Sequence, residues 1–299
     1  MKFILTHNNA DFDAIASMLA AHKLAPDATP VLPPRQLRGV SNYLTLYHSE
    51  LPFIAIEDMP DRQLITHVTL TDAQTIPEVY DVADGTPTLI VEHHELERKL
   101  RPHETWAGDD TGAATTLLIE KMRQRHIPVT PIEATLMMLG IYADTGMLTY
   151  GHTTSRDISA AAWLLDQGAS LDTLRKFMTT PLGEDQQQLL EQLLGKQDHQ
   201  QIAGYDIVIC TAKSDKMIGE ISAVTTQLRD VLDAAALFVL VELPSHIQLV
   251  ARSQYDNIDA GAVAQELGGG GHTRAAAAAI YSKSLPEITE AIRDLLQNI

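Results

Sequence analysis

The sequence has 299 residues, of which 45% are hydrophobic and 20% are charged; this balance is typical of a folded globular protein, and the length favours about two domains. With 22 Lys and Arg residues against 39 Asp and Glu residues, the formal net charge is −17. This charge argues against a broad basic groove for long nucleic acid, because such grooves are built from clustered Lys and Arg, but it does not exclude a short anionic substrate held by metal ions.

The start of the chain and its single cysteine bear on the cellular setting. Cys210 has no second cysteine to pair with, so neither an intramolecular disulfide bond nor a cysteine-based zinc cluster can form. Residues 1–7 turn polar too early for a signal peptide, and no apolar run reaches the roughly 18 residues that a membrane span needs. We therefore expect a cytoplasmic protein that does not bind a membrane.

The first half of the chain alternates short apolar runs with helical patterns. Strands are predicted at residues 2–6, 53–56, 67–71 and 88–91. Helices are predicted at residues 11–22, 111–125, 132–142 and 155–166. Such alternation predicts an α/β fold, with a mostly parallel sheet flanked by helices and ligands at the carboxyl ends of the strands.

The composition shifts after Pro181. Residues 183–198 are rich in glutamine but keep a helical stripe of leucines, which we interpret as a connecting helix; the last helix of the first domain is the alternative. Strands are then predicted at residues 205–210, 235–243, 246–252 and 275–280, and helices at residues 220–228, 260–267 and 285–299. The predicted organisation is a first domain over residues 1–182, a connecting helix over 183–200 and a second, smaller α/β domain over 201–299.

The most informative segment follows the first predicted strand and opens the first helix. Within it, His7, Asp11 and Asp13 can point from one loop into the same crevice. Carboxylate and imidazole groups are ligands for divalent cations, and two nearby cations need a carboxylate that bridges them. The alternative is that an aspartate only caps the helix, where acidic residues are favoured.

Three further polar groups end predicted elements of the first domain. Asp72 follows the strand at 67–71, where it is either a turn residue or a ligand at the same sheet edge. His93 and His94 follow the next strand and project in different directions, so that one can ligate a metal while the other meets substrate. The alternative is a pair of surface histidines without a role. Asp144 follows the helix predicted at 132–142, where it is either a metal ligand or an acidic turn residue.

A last group lies far along the chain, after the helix at 260–267. Glycines 268–271 are followed at once by His272, and glycines let the backbone approach a ligand and offer N–H groups to an anion. Arg252 and Ser253, at the end of a predicted strand, add candidate phosphate contacts. A flexible linker is the alternative for the glycines.

Taken in this order, these pieces resemble the DHH phosphoesterase family over nearly the whole chain. The H-x3-D-x-D loop, the isolated aspartate, the x-H-H triplet, the aspartate after a helix and the GGGH element each have a counterpart here. The first domain resembles the family's catalytic domain and the second its DHHA1 domain. The His7–Asp13 loop and residues 142–146 also resemble a narrower group, in which this unit precedes CBS domains and a tRNA nucleotidyltransferase-like domain.

The resemblance implies a catalytic centre with two divalent ions, Mn²⁺ first and Mg²⁺ or Co²⁺ as alternatives. The implied ligands of the first ion are His7, Asp11 and Asp72. The implied ligands of the second are Asp13, Asp72, His93 and Asp144. Asp72 then acts catalytically as the bridge, and His94 faces the scissile phosphate. In the second domain, the implied contacts to the substrate's phosphate or terminal nucleotide are Arg252, Gly269, Gly270, Gly271 and His272.

One residue departs from the family pattern. The triplet is usually Asp-His-His, whereas this chain has Glu92 before the two histidines. The family's aspartate mainly orients the ligand histidine, and a carboxylate one methylene longer either still orients His93 or misplaces it.

The activity that the resemblance implies is hydrolysis of short RNA or DNA oligonucleotides or of 3′,5′-bisphosphonucleotides. A cyclic-dinucleotide phosphodiesterase would use the same metal site and is the alternative. A different class of function is a nucleotide-binding module with little turnover inside a larger RNA-processing protein. A homodimer stays open, because the edge of the second sheet could pair with a second copy.

Overall fold

The computed structural model describes residues 1–178 and 182–297 of the chain. Two compact units are present, Met1–Thr180 and Pro181–Ile299. Among the residues described, the helices are too short or too polar to cross a lipid bilayer. The α/β fold class predicted from the sequence is confirmed.

A parallel sheet forms the centre of the first unit. Its strands are β1 (Lys2–Leu5), β2 (Ala28–Pro30), β3 (His67–Thr71), β4 (Thr88–Val91) and β5 (Glu104–Trp106). They lie in the order β2-β1-β3-β4-β5, and each neighbouring pair is parallel. The carboxyl ends of β1, β3 and β4 therefore lie side by side, at the edge where parallel sheets hold their ligands.

Helices cover one face of this sheet. They are α1 (Phe12–Leu24), α2 (Arg38–Tyr47), α3 (Ala114–Gln124), α4 (Pro131–Asp144), α5 (Ser155–Asp166) and α6 (Leu171–Met178). Helix α1 is buried over its first ten residues and packs against both α3 and α4. The other face carries a smaller core around Leu5, Leu70 and Ile90, which short 3₁₀ turns such as Glu78–Tyr80 help to cover.

The prediction of a strand at residues 53–56 is wrong. Only Ile54 makes a bridge, to Val31, and a 3₁₀ turn follows at Ile56–Asp58. Pro52 and Pro60 flank this segment, and proline lacks the N–H group that a strand ladder needs. The apolar residues here contribute to the core without forming a strand.

The second unit contains a mixed sheet between two helical layers. Its strands are β6 (Gln197–Ile202), β7 (Tyr205–Lys213), β8 (Ala236–Glu242), β9 (Ile247–Ser253), β10 (Gly270–His272) and β11 (Ala275–Ile280). Its helices are α7 (Glu184–Leu194), α8 (Ile221–Val231), α9 (Ala260–Glu266) and α10 (Leu285–Gln297). The strand order is β10-β11-β9-β8-β7-β6, and only β7 and β8 are parallel among the described pairs.

The connecting helix predicted over residues 183–200 is shorter than expected. Helix α7 ends at Leu194, and residues 197–200 belong to strand β6. Ala203 and Gly204 both adopt positive φ, 52° and 84°, which fits a tight two-residue hairpin turn joining β6 to β7. Leu189 and Leu193 are buried in a core with residues of α8, so the helix belongs to the second unit.

Candidate metal centre

The predicted site residues of the first unit follow the carboxyl ends of three neighbouring strands. His7 lies two residues beyond β1, Asp72 directly follows β3, and Glu92, His93 and His94 directly follow β4. Because these strands are adjacent and parallel, their ends bring the side chains to one edge of the sheet.

Asp72 lies at the centre of this edge. Its backbone adopts a left-handed conformation with φ 51°, and its N–H donates to the Val91 carbonyl at 2.9 Å. The buried carboxylate has one oxygen 3.5 Å from His7 Nε2 and the other 3.7 Å from His93 Nε2. Each oxygen thus faces a different histidine, which is the arrangement that a bridging ligand needs.

The structure brings the predicted ligands together in two overlapping groups. In each group, one donor atom per residue lies within 4.8 Å of the others. The first group is His7, Asp11 and Asp72, and the second is Asp13, Asp72, His93 and Asp144. Asp72 belongs to both groups. These are the two ligand sets that the family resemblance implies for two ions.

Two of the aspartates also contact helix N-termini. Asp11 is the N-cap of α1, where its Oδ1 accepts from Ala14 N at 3.0 Å. Asp13 is fully buried and accepts from Ala114 N at 2.7 Å and Thr115 N at 3.0 Å, which are the first N–H groups of α3. The first N–H groups of a helix lack a partner within the helix and stabilise negative charge, so the capping role and the ligand role are compatible.

Negative charge is crowded in the second group. Burial and the nearby Asp13 charge raise the pKa of Asp72 well above its ordinary value, and the same causes raise the pKa of Asp144 to about 7. Burial lowers the pKa of His93, but its contacts with Asp144 and Asp13 outweigh that effect and raise it to about 9. The site therefore favours additional positive charge, which a divalent cation supplies.

His93 provides a direct test of whether a metal fits. Its Nδ1 lies 3.0 Å from the Thr111 carbonyl, while its buried Nε2 has no hydrogen-bond partner, although Asp144 Oδ2 is 3.3 Å away. A ligand histidine normally donates one ring N–H to a carbonyl or carboxylate and leaves the other nitrogen for the metal. Oxygen and imidazole donors together suit Mn²⁺, so the residues fit a divalent ion.

Glu92 contacts His94 and not His93. One of its carboxylate oxygens accepts from His94 N, and the other lies 3.0 Å from His94 Nδ1. Burial raises the pKa of Glu92, but the hydrogen bonds from His94 outweigh it and hold the pKa below its ordinary value. Of the two alternatives that the sequence left open for Glu92, orientation of His93 is therefore not observed: the Thr111 carbonyl contacts His93, and Glu92 contacts His94.

His94 lies at the rim of the site. Its side chain is 43% exposed, yet one ring nitrogen lies within 4.8 Å of donor atoms of Asp72 and His93. A ring held by a buried carboxylate but open to solvent can meet a substrate group beside the metal ligands.

In the second unit, strand register brings Arg252 and His272 to one face of the sheet. Arg252 is paired with Ala275 across β9 and β11, and Ala275 is paired with His272 across β11 and β10. Residues directly opposite one another in a sheet point to the same side. The row formed by Arg252, Ala275 and His272 thus places a small side chain between two nitrogen-bearing ones. Within it, Arg252 Nη1 donates to the Ala251 carbonyl at 2.9 Å.

Ser253 does not join this row. Strand alternation turns it to the opposite face, where its buried hydroxyl donates to Tyr255 O at 2.8 Å and accepts from Tyr255 N at 3.2 Å. The hydroxyl therefore closes a turn.

The three predicted glycines differ in what requires them. A Cβ at Gly269 would lie 2.1 Å from the Ala277 carbonyl oxygen, and one at Gly271, which has φ 140°, would lie 2.5 Å from Ala276 Cα. A Cβ at Gly270 would meet open space. Close backbone packing thus explains why positions 269 and 271 are glycine. At position 270, a larger side chain would fit without a clash.

Thr111 was missed because its role is played by a backbone carbonyl, which leaves no mark in the side-chain pattern. The available signal is the tripeptide Asp110-Thr111-Gly112, which has the same letters as residues 144–146, where the predicted ligand Asp144 lies. Thr111 and Thr145 are both buried.

Comparison with known proteins gives the family. Residues 2–141 match the DHH family, N-terminal domain, and residues 204–298 match the DHHA1 domain. The chain belongs to the DHH family. Its two units correspond to the two domain types, and the family is one of metal-dependent phosphoesterases.

Several relatives resemble most of the chain. An A-adding tRNA nucleotidyltransferase from Geobacter sulfurreducens is 37% identical over 100% of this chain and 34% of its own length. The cyclic-di-AMP phosphodiesterase PdeA from Listeria monocytogenes is 23% identical over 95% of this chain and 45% of its own length. The bifunctional oligoribonuclease and PAP phosphatase NrnA from Mycoplasma genitalium is 26% identical over 71% of this chain and 65% of its own length.

A solved structure agrees with the fold. An exopolyphosphatase-related protein from Bacteroides fragilis has a TM-score of 0.80 and 16% identity, covering 99% of this chain and 91% of that one. The chain spans about a third of the length of the tRNA nucleotidyltransferases that it matches.

Replacing Asp72 tests the shared ligand. Asn tolerates the left-handed backbone at φ 51° and keeps the side-chain shape, so Asp72→Asn removes charge with little strain. We expect Mn²⁺ affinity, measured by calorimetric titration, to fall more than about 100-fold, because losing a group that merely orients a ligand already costs about 10–100-fold.

Asp81 offers a matched control for this change. It is also left-handed, with φ 44°, and its side chain is 76% exposed. We expect Asp81→Asn to bind Mn²⁺ like the unmodified protein. Tight Mn²⁺ binding by a folded Asp72→Asn protein would show that Asp72 is not a shared ligand.

Replacing Glu92 tests the contact with His94. Glu92→Gln keeps the side-chain length but removes the charge that holds the His94 ring. We expect hydrolysis to slow about 10–100-fold while Mn²⁺ affinity is retained, since a misoriented catalytic group costs rate. Glu95→Gln, an exposed change three residues along the chain, is the control. Unchanged turnover in Glu92→Gln would show that the contact between Glu92 and His94 does not contribute to the rate.

Proposed function

We propose that this chain hydrolyses phosphoester bonds in short oligonucleotides or 3′,5′-bisphosphonucleotides, using two divalent ions, with Mn²⁺ as the first choice. The observation that carries the proposal is the pair of ligand groups sharing Asp72, with the orphaned Nε2 of His93 inside the second group. Two ions that share a carboxylate lie close enough together to act on one phosphate group.

In this proposal, Asp72 and His94 have different roles. Bound divalent ions supply positive charge that stabilises the reacting phosphate and activates water. Asp72 holds the two ligand groups in register, because its two oxygens face His7 and His93. His94, fixed by Glu92, presents its ring at the exposed rim, where it contacts the phosphate or moves a proton. The assigned catalytic residues are therefore Asp72 and His94.

We also propose that the row of Arg252, Ala275 and His272 binds a phosphate or the terminal nucleotide of the substrate. An Arg guanidinium suits phosphate because its N–H groups form paired hydrogen bonds. Gly270 lies on the same face as this row, since it is two residues from His272 along β10. A glycine that packing does not require leaves the backbone open to a ligand.

The relatives support this choice of substrate class. NrnA is named an oligoribonuclease and PAP phosphatase, and PdeA a cyclic-di-AMP phosphodiesterase. The candidate substrates of this chain are accordingly small nucleotides. The chain also matches a third of the length of tRNA nucleotidyltransferases, which keeps open a nucleotide-binding module within a larger RNA-processing protein.

A substrate panel separates these functions. We expect the protein with Mn²⁺ to release mononucleotides from dinucleotides, or phosphate from 3′,5′-bisphosphonucleotides, as detected by chromatography. The Asp72→Asn variant is the background control. Turnover of cyclic dinucleotides alone would replace the proposal with the cyclic-dinucleotide alternative. Nucleotide binding without any turnover would overturn the hydrolytic function and leave the binding module.

The second-unit row has its own test. We expect Arg252→Ala and His272→Ala to weaken binding of a non-hydrolysable dinucleotide by about 10-fold or more, because a charge-assisted hydrogen bond contributes about 1.5–3 kcal/mol. Mn²⁺ affinity should stay unchanged. Arg274→Ala is the control, since Arg274 is exposed and paired with Asp256 at 2.7 Å. Unaltered dinucleotide affinity in both variants would exclude the row from substrate binding.

A further inference from the structure

The orientation of His93 depends on a segment without regular structure. Its Nδ1 is 3.0 Å from the carbonyl of Thr111, which lies in the loop between β5 and α3. A carbonyl that accepts from Nδ1 fixes both the ring rotation and the tautomer, and so leaves Nε2 for a metal. The orientation of the His93 ring therefore depends on the position of the Thr111 backbone.

Asp157 holds this backbone from a distant helix. The residue next to Thr111, Gly112, donates its N–H to Asp157 Oδ2 at 2.9 Å. Thr116, in the first turns of α3, donates its hydroxyl to the other oxygen, Oδ1, at 2.6 Å. Asp157 is fully buried and belongs to α5, so its two oxygens join that helix to the loop and to α3.

The packing around Gly112 is equally tight. A Cβ placed there would lie 2.8 Å from Asp157 Oδ2 and 2.6 Å from Thr145 Cγ2. Thr145 directly follows the predicted ligand Asp144. The loop is thus held between Asp157 and a residue adjacent to another ligand, and it has little room to shift.

Capping of α5 does not explain why Asp157 is buried. Asp157 Oδ2 also accepts from Thr154 N and Thr154 Oγ1, both at 2.7 Å, at the start of its own helix. Glu287 makes the same pair of contacts for α10, accepting from Ser284 N and Ser284 Oγ at 2.7 Å, yet Glu287 is exposed. Burying a carboxylate is costly unless several donors compensate it, so the contacts to the loop are the distinguishing feature of Asp157.

We propose that Asp157 is a positioning residue of the metal centre, which fixes the Thr111 carbonyl through Gly112 and thereby orients His93 for the ion. The inference rests on the proposed metal-dependent function. Asp157 touches neither substrate nor metal in this account, and its effect passes through the loop backbone.

The test compares Asp157→Asn with Glu287→Gln. Both changes remove a carboxylate that accepts from a helix N-cap, but only the first also contacts the His93 loop. We expect Asp157→Asn to lower Mn²⁺ affinity about 10–100-fold, the usual cost of losing a group that orients a metal ligand. We expect Glu287→Gln to bind Mn²⁺ like the unmodified protein.

A second readout uses the metal-free protein. Nitrogen NMR of the His93 ring, assigned with a His93→Gln variant, reports which ring nitrogens carry a proton. We expect the unmodified protein and Glu287→Gln to show one set of His93 ring signals with a proton on Nδ1, which the Thr111 carbonyl accepts, and Asp157→Asn to show more than one set. A folded Asp157→Asn protein with unmodified His93 signals and unmodified Mn²⁺ affinity would overturn the proposal.

Two further outcomes can be distinguished. If Asp157→Asn does not fold, Thr116→Val removes one donor to Asp157 Oδ1, and we expect it to shift the His93 signals and Mn²⁺ affinity in the same direction by a smaller factor. Unmodified values for a folded Thr116→Val would then count against the proposal. If the unmodified protein binds no Mn²⁺, the proposed function fails, while the His93 signals still decide the role of Asp157.

Discussion

Repulsion among buried carboxylates is the constraint on which the rest of this structure depends. Asp13 and Asp72 are buried and Asp144 is partly buried at one sheet edge. Burial raises the pKa of each, and the charge of Asp13 raises the pKa of Asp72 and of Asp144 further. A fold gains nothing in stability from such a cluster, because removing these charges from water is unfavourable unless opposite charge is present. Divalent cations, which we propose for this site, carry positive charge that would offset the repulsion, and carboxylate and imidazole groups are suitable donors for them.

Close helix packing holds this unfavourable arrangement in place. Helix α1 begins with Asp13 in its first turn, α4 ends at Asp144, and the two helices pack directly against each other. A Cβ at Gly140 would lie 2.6 Å from the Cβ of Ala16 and 3.1 Å from the Phe12 carbonyl, so small residues at the contact allow the approach. The first N–H groups of α3 then donate to Asp13, and this partial positive charge offsets part of the repulsion.

The sequence predicted the residues of the site better than their contacts. The carboxyl ends of parallel strands meet at one edge by geometry, which is why His7, Asp72 and His93 could be grouped without coordinates. The left-handed backbone of Asp72 and the carbonyl of Thr111 have no periodic pattern, so they were not predicted. The sequence left open whether Glu92 orients His93, and its hydrogen bonds to His94 could not be predicted, because the letters of a triplet do not say which neighbouring ring a carboxylate reaches. The sequence predicts helix for residues 197–200, which form the first part of β6, because these polar residues at a sheet edge show no alternation with apolar side chains.

The charge of the chain explains why its substrates are expected to be short. Many cationic side chains are already paired: Arg156 with Glu120 and Asp109, Arg98 with Glu104, and Arg293 with Asp198 and Glu290. With a net charge of −17, the surface as a whole repels a long polyanion, whose affinity would depend on many Lys and Arg contacts. In the function proposed above, attraction for phosphate is therefore local, at divalent cations in the first unit and at the row of Arg252, Ala275 and His272 in the second. A mononucleotide or dinucleotide needs only a few such contacts, whereas each further phosphate would add repulsion from the net negative charge of the chain.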